Sequence, residues 1–138
     1  MSDSSVFLDS NIIIYAYSRT DPAKADIARR VIASGNVVIS AQVINEFVSV
    51  THNKLHHSMK VIEKAVQELL QFTRPVPISA ETSLSAIHIA QEYRFAWYDS
   101  LIVASALENG CSILISEDFQ HGQIIEKSLT IINPFKVN

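Results

Sequence analysis

The chain has 138 residues, 48% hydrophobic and 18% charged, which is the size and composition of one globular domain spanning residues 1–138 with a sizeable core. Its net charge of −3 argues against a protein that grips nucleic acid by bulk electrostatics, and its single cysteine, Cys111, allows no internal disulfide and disfavours a cysteine-based zinc site. The longest apolar run, residues 12–17, is far shorter than the roughly 20 residues of a membrane helix, and the N-terminal stretch lacks the basic region of a signal peptide. A soluble, cytoplasmic protein with no membrane association is expected.

In chain order, strands are expected at residues 6–9 (VFLD), 37–40 (VVIS), 76–79 (VPIS), 112–116 (SILIS) and 129–133 (LTIIN). Most are short continuous apolar runs, as in strands buried on both faces. Helical patterns fall between them, over 22–34, 41–52, 58–72, 80–93 and about 98–109. In the fourth of these, Leu84, Ile87, Ala90 and Tyr93 keep helical spacing and predict the core face. Gly35 and Gly110 stand where helices should end. Strand and helix alternate, which predicts an α/β fold: a mostly parallel five-stranded sheet flanked by helices, with a ligand site at the C-terminal ends of the strands.

Four acids stand out by their apolar surroundings. Asp9 ends the first strand, Asp118 follows the fourth by two residues after Ser116, Glu46 borders the apolar face of the second helix, and Asp99 opens the last helix. Each has an ordinary explanation: Asp99 as a helix N-cap or first-turn acid, Asp9 and Asp118 as turn residues bonding the backbone, Glu46 as the partner of a surface base. Brought together, however, four carboxylates repel and raise one another's pKa, so such a cluster is tolerable mainly around a cation. An all-oxygen donor set suits Mg²⁺ or Mn²⁺, as one ion or two. A hard ion there makes hydroxide from water near neutral pH and stabilises charge on a phosphoryl group, so a phosphodiester could be cut without a protein nucleophile. Setting aside four carboxylates from a net charge of −3 leaves +1, so a nucleic-acid substrate is compatible with the remainder.

The blocks FLDSNIIIYAY, INEF, WYDSLIVASALENGCSILISEDFQHG and LTIINPF resemble PIN-domain proteins, in particular the VapC-like ribonuclease toxins of toxin–antitoxin pairs, in order and spacing over essentially the whole chain. The resemblance implies a three-layer, Rossmann-like fold and places the family's motif acids on Asp9, Glu46, Asp99 and Asp118, with Asn11 and Ser116 supporting them. It implies a Mg²⁺- or Mn²⁺-dependent endoribonuclease acting on single-stranded regions of structured RNA, tRNA or rRNA, working as a homodimer and blocked by a cognate antitoxin. Asp9, Asp99 and Asp118 would hold the ion, with Glu46 as ligand or as base through a bound water. Losing one of these carboxylates should cut catalysis while leaving the fold intact. Arg19, Lys24, Gln120 and His121 are candidates for RNA contact, and Trp97 or Tyr98 for stacking a base, with core or dimer packing as the plainer role for either ring. Glu117 is left as an outer-sphere or substrate contact.

Rival readings are weaker. His52 and His56 have the i, i+4 spacing of a helical zinc pair but lack the glutamate of that motif. His88 reads as a core or semi-buried histidine. An Asp9-nucleophile phosphatase of the haloacid-dehalogenase pattern would want an aspartate where Asn11 stands, and a receiver domain would want an acidic pair and a late lysine. The non-enzymatic alternative is a catalytically silent PIN-like module that binds RNA or protein.

Overall fold

The computed structural model describes residues 5–136. The terminal residues, on which the single-domain reading over 1–138 and the missing basic leader partly rest, lie outside the described residues. The strands are β1 (Ser5–Leu8), β2 (Val37–Ser40), β3 (Arg74–Val76), β4 (Cys111–Ile115), β5 (Ile124–Ile125) and β6 (Leu129–Ile132). The helices are α1 (Ser10–Ala16), α2 (Pro22–Ala33), α3 (Ala41–Asn53), α4 (Met59–Phe72), α5 (Ala80–Tyr93) and α6 (Trp97–Glu108).

One sheet holds all six strands in the order β3-β2-β1-β4-β6-β5, parallel except for β5. The expected α/β architecture is present, with six strands where five were expected. The two-residue β5 pairs antiparallel with β6 at an edge and is too short to leave a periodic signal. The third strand lies earlier than VPIS suggested. Residues 74–76 pair with β2, while Ser79 caps α5, its side chain accepting from the Thr82 N–H. Pro75 is tolerated because β3 is an edge strand, where a missing N–H breaks no ladder.

The central strands form where they do because their side chains are buried on both faces. Phe7, Leu8, Val38, Ile39 and Leu114 are essentially inaccessible, and removing such area from water contributes about 25 cal/mol per Å². Cys111 joins this core, and burial pushes its thiol up to about 11, so it is an inert packing residue, as expected. The helix over Ser10–Ala16 was not anticipated. Its unbroken apolar run buries Ile12, Ile13 and Ala16 on the inner side. Gly35 (φ +89°) and Gly110 (φ +69°) do follow the caps of α2 and α6 in the left-handed region.

One expectation about α5 fails. Its buried face is Thr82, Ala86 and Ile89, whereas Leu84 and Ile87 are exposed, and so is His88. The reason is close helix packing: α5 meets α6 through small residues, with Ala86 in contact with Ala104 and Leu101, so the larger stripe faces outward.

Candidate functional site

From β1 the chain moves outward to β2 and β3, then crosses back to lay β4 on the other side of β1. That reversal opens a crevice at the C-terminal ends of β1 and β4. Leu8 pairs with Ile115 in register, so the next residues on each strand, Asp9 and Ser116, emerge side by side. The Asp9 N–H extends the ladder to the Ile115 carbonyl at 3.0 Å.

Asp9 is the N-cap of α1 and only 4% exposed. Its Oδ1 accepts from the Ser10 N–H at 2.7 Å and its Oδ2 from the Ser116 hydroxyl at 2.8 Å. Burial pushes its carboxyl up to about 6, against the lowering effect of those two hydrogen bonds and with the charges of Asp118 and Glu46 adding to the rise. Ser116 is fully buried and serves as a hub, since its hydroxyl also accepts from Asn11 Nδ2 at 3.3 Å and from the Asp118 N–H at 3.1 Å. Asn11 Nδ2 donates to Asp118 Oδ2 at 2.9 Å, and its 3.5 Å approach to Asp9 is at the limit of a hydrogen bond.

Glu46 comes from the middle of α3. Its Oε1 accepts from the Ser10 hydroxyl at 3.1 Å and its Oε2 from Gln42 Nε2 at 3.3 Å, one helical turn away. Gln42 Nε2 also donates to the Tyr98 carbonyl at 3.2 Å, tying α3 to the start of α6. Asp99 is in the first turn of α6, but the N-cap is Ala96 and no side chain caps this helix, so the capping explanation for Asp99 does not apply. Its carboxyl is raised above the ordinary range by burial first, then by the charges of Asp118 and Glu46. The charges of Asp118 and Glu46 thus act on both Asp9 and Asp99.

Glu117 does not join them. Its carboxylate turns the other way, accepting from the Tyr15 hydroxyl at 2.7 Å and pairing with Lys24 at 2.5 Å. Lys24, expected at RNA, is engaged in that ion pair. Arg19 is exposed and lines a separate hollow with Arg29 and His57. Trp97, 40% exposed, and Tyr98, 63% exposed, are not core residues, and Gln120 is exposed. His121 braces the end of β6, its Nδ1 accepting from the Asn133 N–H at 3.0 Å. His56 lies beyond the end of α3 with φ +59°, and His52 Nδ1 meets the His57 carbonyl at 3.0 Å, so the histidine pair is not a helical metal pair.

Sequence reasoning missed Ser10 and Gln42 as holders of Glu46, and Tyr15 as a partner of Glu117. Gln42 had a usable signal, since it sits four residues before Glu46 on the same helix face. Ser10 and Tyr15 had none, because their partners lie 36 and 102 residues away.

Comparison with solved structures gives the same architecture. A toxin–antitoxin complex from Klebsiella pneumoniae superposes with a TM-score of 0.70 at 22% identity, covering 97% of this chain and all of that one. FitAcB from Neisseria gonorrhoeae gives 0.69 at 18% identity over 96% of this chain and 99% of that one. The VapC20 toxin of Mycobacterium tuberculosis, described as cleaving the sarcin-ricin loop, gives 0.66 at 18% identity over 80% and 87%. No curated protein matches the chain in sequence. The PIN domain model, in contrast, matches residues 6–126, a span that carries all four acids, their hydroxyl and amide partners and every strand that frames the crevice; the chain belongs to the PIN domain family.

Proposed function

We propose that the chain is a metal-dependent endoribonuclease that cuts phosphodiester bonds in single-stranded regions of structured RNA, tRNA or rRNA, and is the toxin of a toxin–antitoxin pair. The observation that carries this reading is the gathering of Asp9, Glu46, Asp99 and Asp118 at one strand-end crevice, with Asp9 buried and its carboxyl pushed up to about 6. An uncompensated cluster of this kind destabilises a fold, so a cation is the economical explanation. Membership of the PIN domain family and likeness to structures described as toxins support it.

The donor chemistry fits a hard divalent ion, since every donor is a carboxylate oxygen. Among the described residues no three such side chains stand close enough together to hold an ion as posed. Ser116, Asn11, Ser10 and Gln42 hold three of the acids in separate hydrogen bonds. Loading would therefore take a local side-chain change that brings the carboxylates together. Asp9, Asp99 and Asp118 would hold Mg²⁺ or Mn²⁺, with Glu46 as a further ligand or as base through a water. The bound ion supplies a low-pKa water and stabilisation of phosphoryl charge. Ser116 and Asn11 orient the carboxylates of Asp9 and Asp118, as outer partners of metal ligands do. Gln42 fixes Glu46 from the other side.

A homodimer and a cognate antitoxin are part of the proposal. Apolar side chains are exposed on two separate helices, Met59, Val61, Leu70 and Phe72 on α4 and Leu84 and Ile87 on α5, enough for more than one protein contact. Sedimentation of the purified chain tests the dimer.

The deciding experiment is incubation of total tRNA and rRNA with purified protein and Mg²⁺, Mn²⁺ or EDTA, beside Asp9→Asn and Asp99→Asn. Discrete fragments that need metal and vanish in both variants are expected. Metal binding without cutting would favour the silent binding module instead.

A further inference from the structure

Along residues 116–118 the side chains alternate. Ser116 and Asp118 bond Asn11 on the crevice side, and Glu117 between them faces outward. Asn11 and Tyr15 are four residues apart on α1 and so share a face. Asn11 accepts the Glu117 N–H at 3.4 Å through its Oδ1, while Tyr15 donates its hydroxyl to Glu117 Oε1 at 2.7 Å. Lys24, in the first turn of α2, closes the other side. Its Nζ meets Glu117 Oε2 at 2.5 Å and the Tyr15 hydroxyl at 3.3 Å, and it sits 4.7 Å from the Tyr15 ring centroid and 5.0 Å from that of Phe135. Phe135 packs edge-on against Tyr15 with ring centroids 5.0 Å apart.

From this geometry we infer that Glu117, Lys24 and Tyr15 form a bracket outside the crevice, which docks segment 116–118 on α1 and thereby positions Asp118. Lys24 serves this bracket and does not bind substrate phosphate. The inference rests on the reading of Asp118 as a metal-holding acid. Both Glu117 oxygens are occupied, and the Lys24 ammonium is satisfied by a carboxylate, a phenol and two ring faces.

The test compares wild type, Glu117→Ala, Lys24→Met, their double variant, Lys24→Arg and Asp118→Asn. The readouts are Mn²⁺ affinity by calorimetry, the thermal midpoint, and kcat and KM for RNA cleavage over a salt series. Glu117→Ala and Lys24→Met should each weaken Mn²⁺ binding and lower kcat by about tenfold, the scale of an outer partner of a metal ligand, at nearly unchanged KM and midpoint. The double variant should be no worse than the worse single, because both act through one pair. Lys24→Arg should restore most of the loss. If Lys24→Met instead raises KM and flattens its salt dependence with Mn²⁺ affinity intact, Lys24 is a phosphate contact and the bracket is overturned. A wild type that binds Mn²⁺ yet cuts no RNA sinks the nuclease reading alone, and the Mn²⁺ affinities still decide the bracket. Equal Mn²⁺ binding in wild type and Asp118→Asn, or none in either, overturns it.

Discussion

Asp9→Asn should make the metal-free protein more stable at neutral pH and less stable in acid. The folded chain holds the Asp9 proton with a pKa of about 6 against 3.8 for the free side chain. At about 1.4 kcal/mol per tenfold in proton affinity, that difference is on the order of 3 kcal/mol. The folded state binds the proton more tightly than the unfolded state does, so protonated Asp9 carries no penalty below about pH 4, and a cost to folding grows as pH rises from about 4 to about 6. Above that the buried carboxylate weighs against the fold by the full amount. Asparagine cannot titrate and escapes it. The substitution does replace Oδ2, the acceptor of the Ser116 hydroxyl at 2.8 Å, and losing that hydrogen bond costs about 1 kcal/mol. The balance is a gain of about 2 kcal/mol at pH 7 and a loss of about 1 kcal/mol at pH 4.

Thermal or urea unfolding of both proteins at pH 4, 5, 6 and 7, in EDTA, measures this directly. At roughly 3 °C per kcal/mol for a chain of this length, the variant should melt about 6 °C higher at pH 7 and a few degrees lower at pH 4. Titrating groups that do not interact with Asp9 cancel in the comparison. A difference that stays flat across this range, or a variant less stable than wild type at pH 7, would refute the account of Asp9 as a strained buried acid.

Mn²⁺ should raise the wild-type midpoint at pH 7, by a stabilisation of about 2.7 kcal/mol at 100 times Kd. The effect should shrink at pH 5, where a proton on Asp9 competes with the ion, and be small in Asp9→Asn; melts with and without the ion at both pH values check it. Ser116→Ala removes one donor and one acceptor from a fully buried hub and should cost roughly 1–3 kcal/mol, read by urea unfolding, while carbon-detected NMR should find the Asp9 carboxyl titrating higher still. Asp118→Asn should leave stability within about 0.5 kcal/mol, because Asp118 is exposed, yet should abolish metal-dependent cleavage of RNA in the gel assay.

What the sequence revealed and concealed follows from where partners lie. VFLD and SILIS were legible because strands buried on both faces are continuously apolar, and the acids at their ends stood out against that background. The same rule hid α1. IIIYAY is also continuously apolar, so it carries no period, and only Asp9 acting as its N-cap marks the change from strand to helix. On α5 the usual ranking of hydrophobicity misled, since Ala86 and Thr82 face the neighbouring helix and Leu84 faces solvent. Residues that act through distant partners were the least legible. Lys24 meets Glu117 across 93 residues of sequence. Glu117 was left open between an outer-sphere and a substrate contact for the same reason, its partner Tyr15 lying 102 residues away.

The position of the acids and their energetics have one cause. Phe7, Leu8 and Leu114 are inaccessible at the β1–β4 seam, and Asp9 leaves that seam before it has left the core. The burial that makes β1 a reliable strand is also the largest contribution to the proton affinity of Asp9. Ser116 and the Ser10 N–H moderate it without cancelling it. A carboxyl titrating at about 6 is charged at neutral pH but weakly committed to that charge, so a divalent ion would meet a ligand whose repulsion with Asp118 and Glu46 it relieves on arrival. The fold would thus recover, on loading, the stability that the empty crevice withholds.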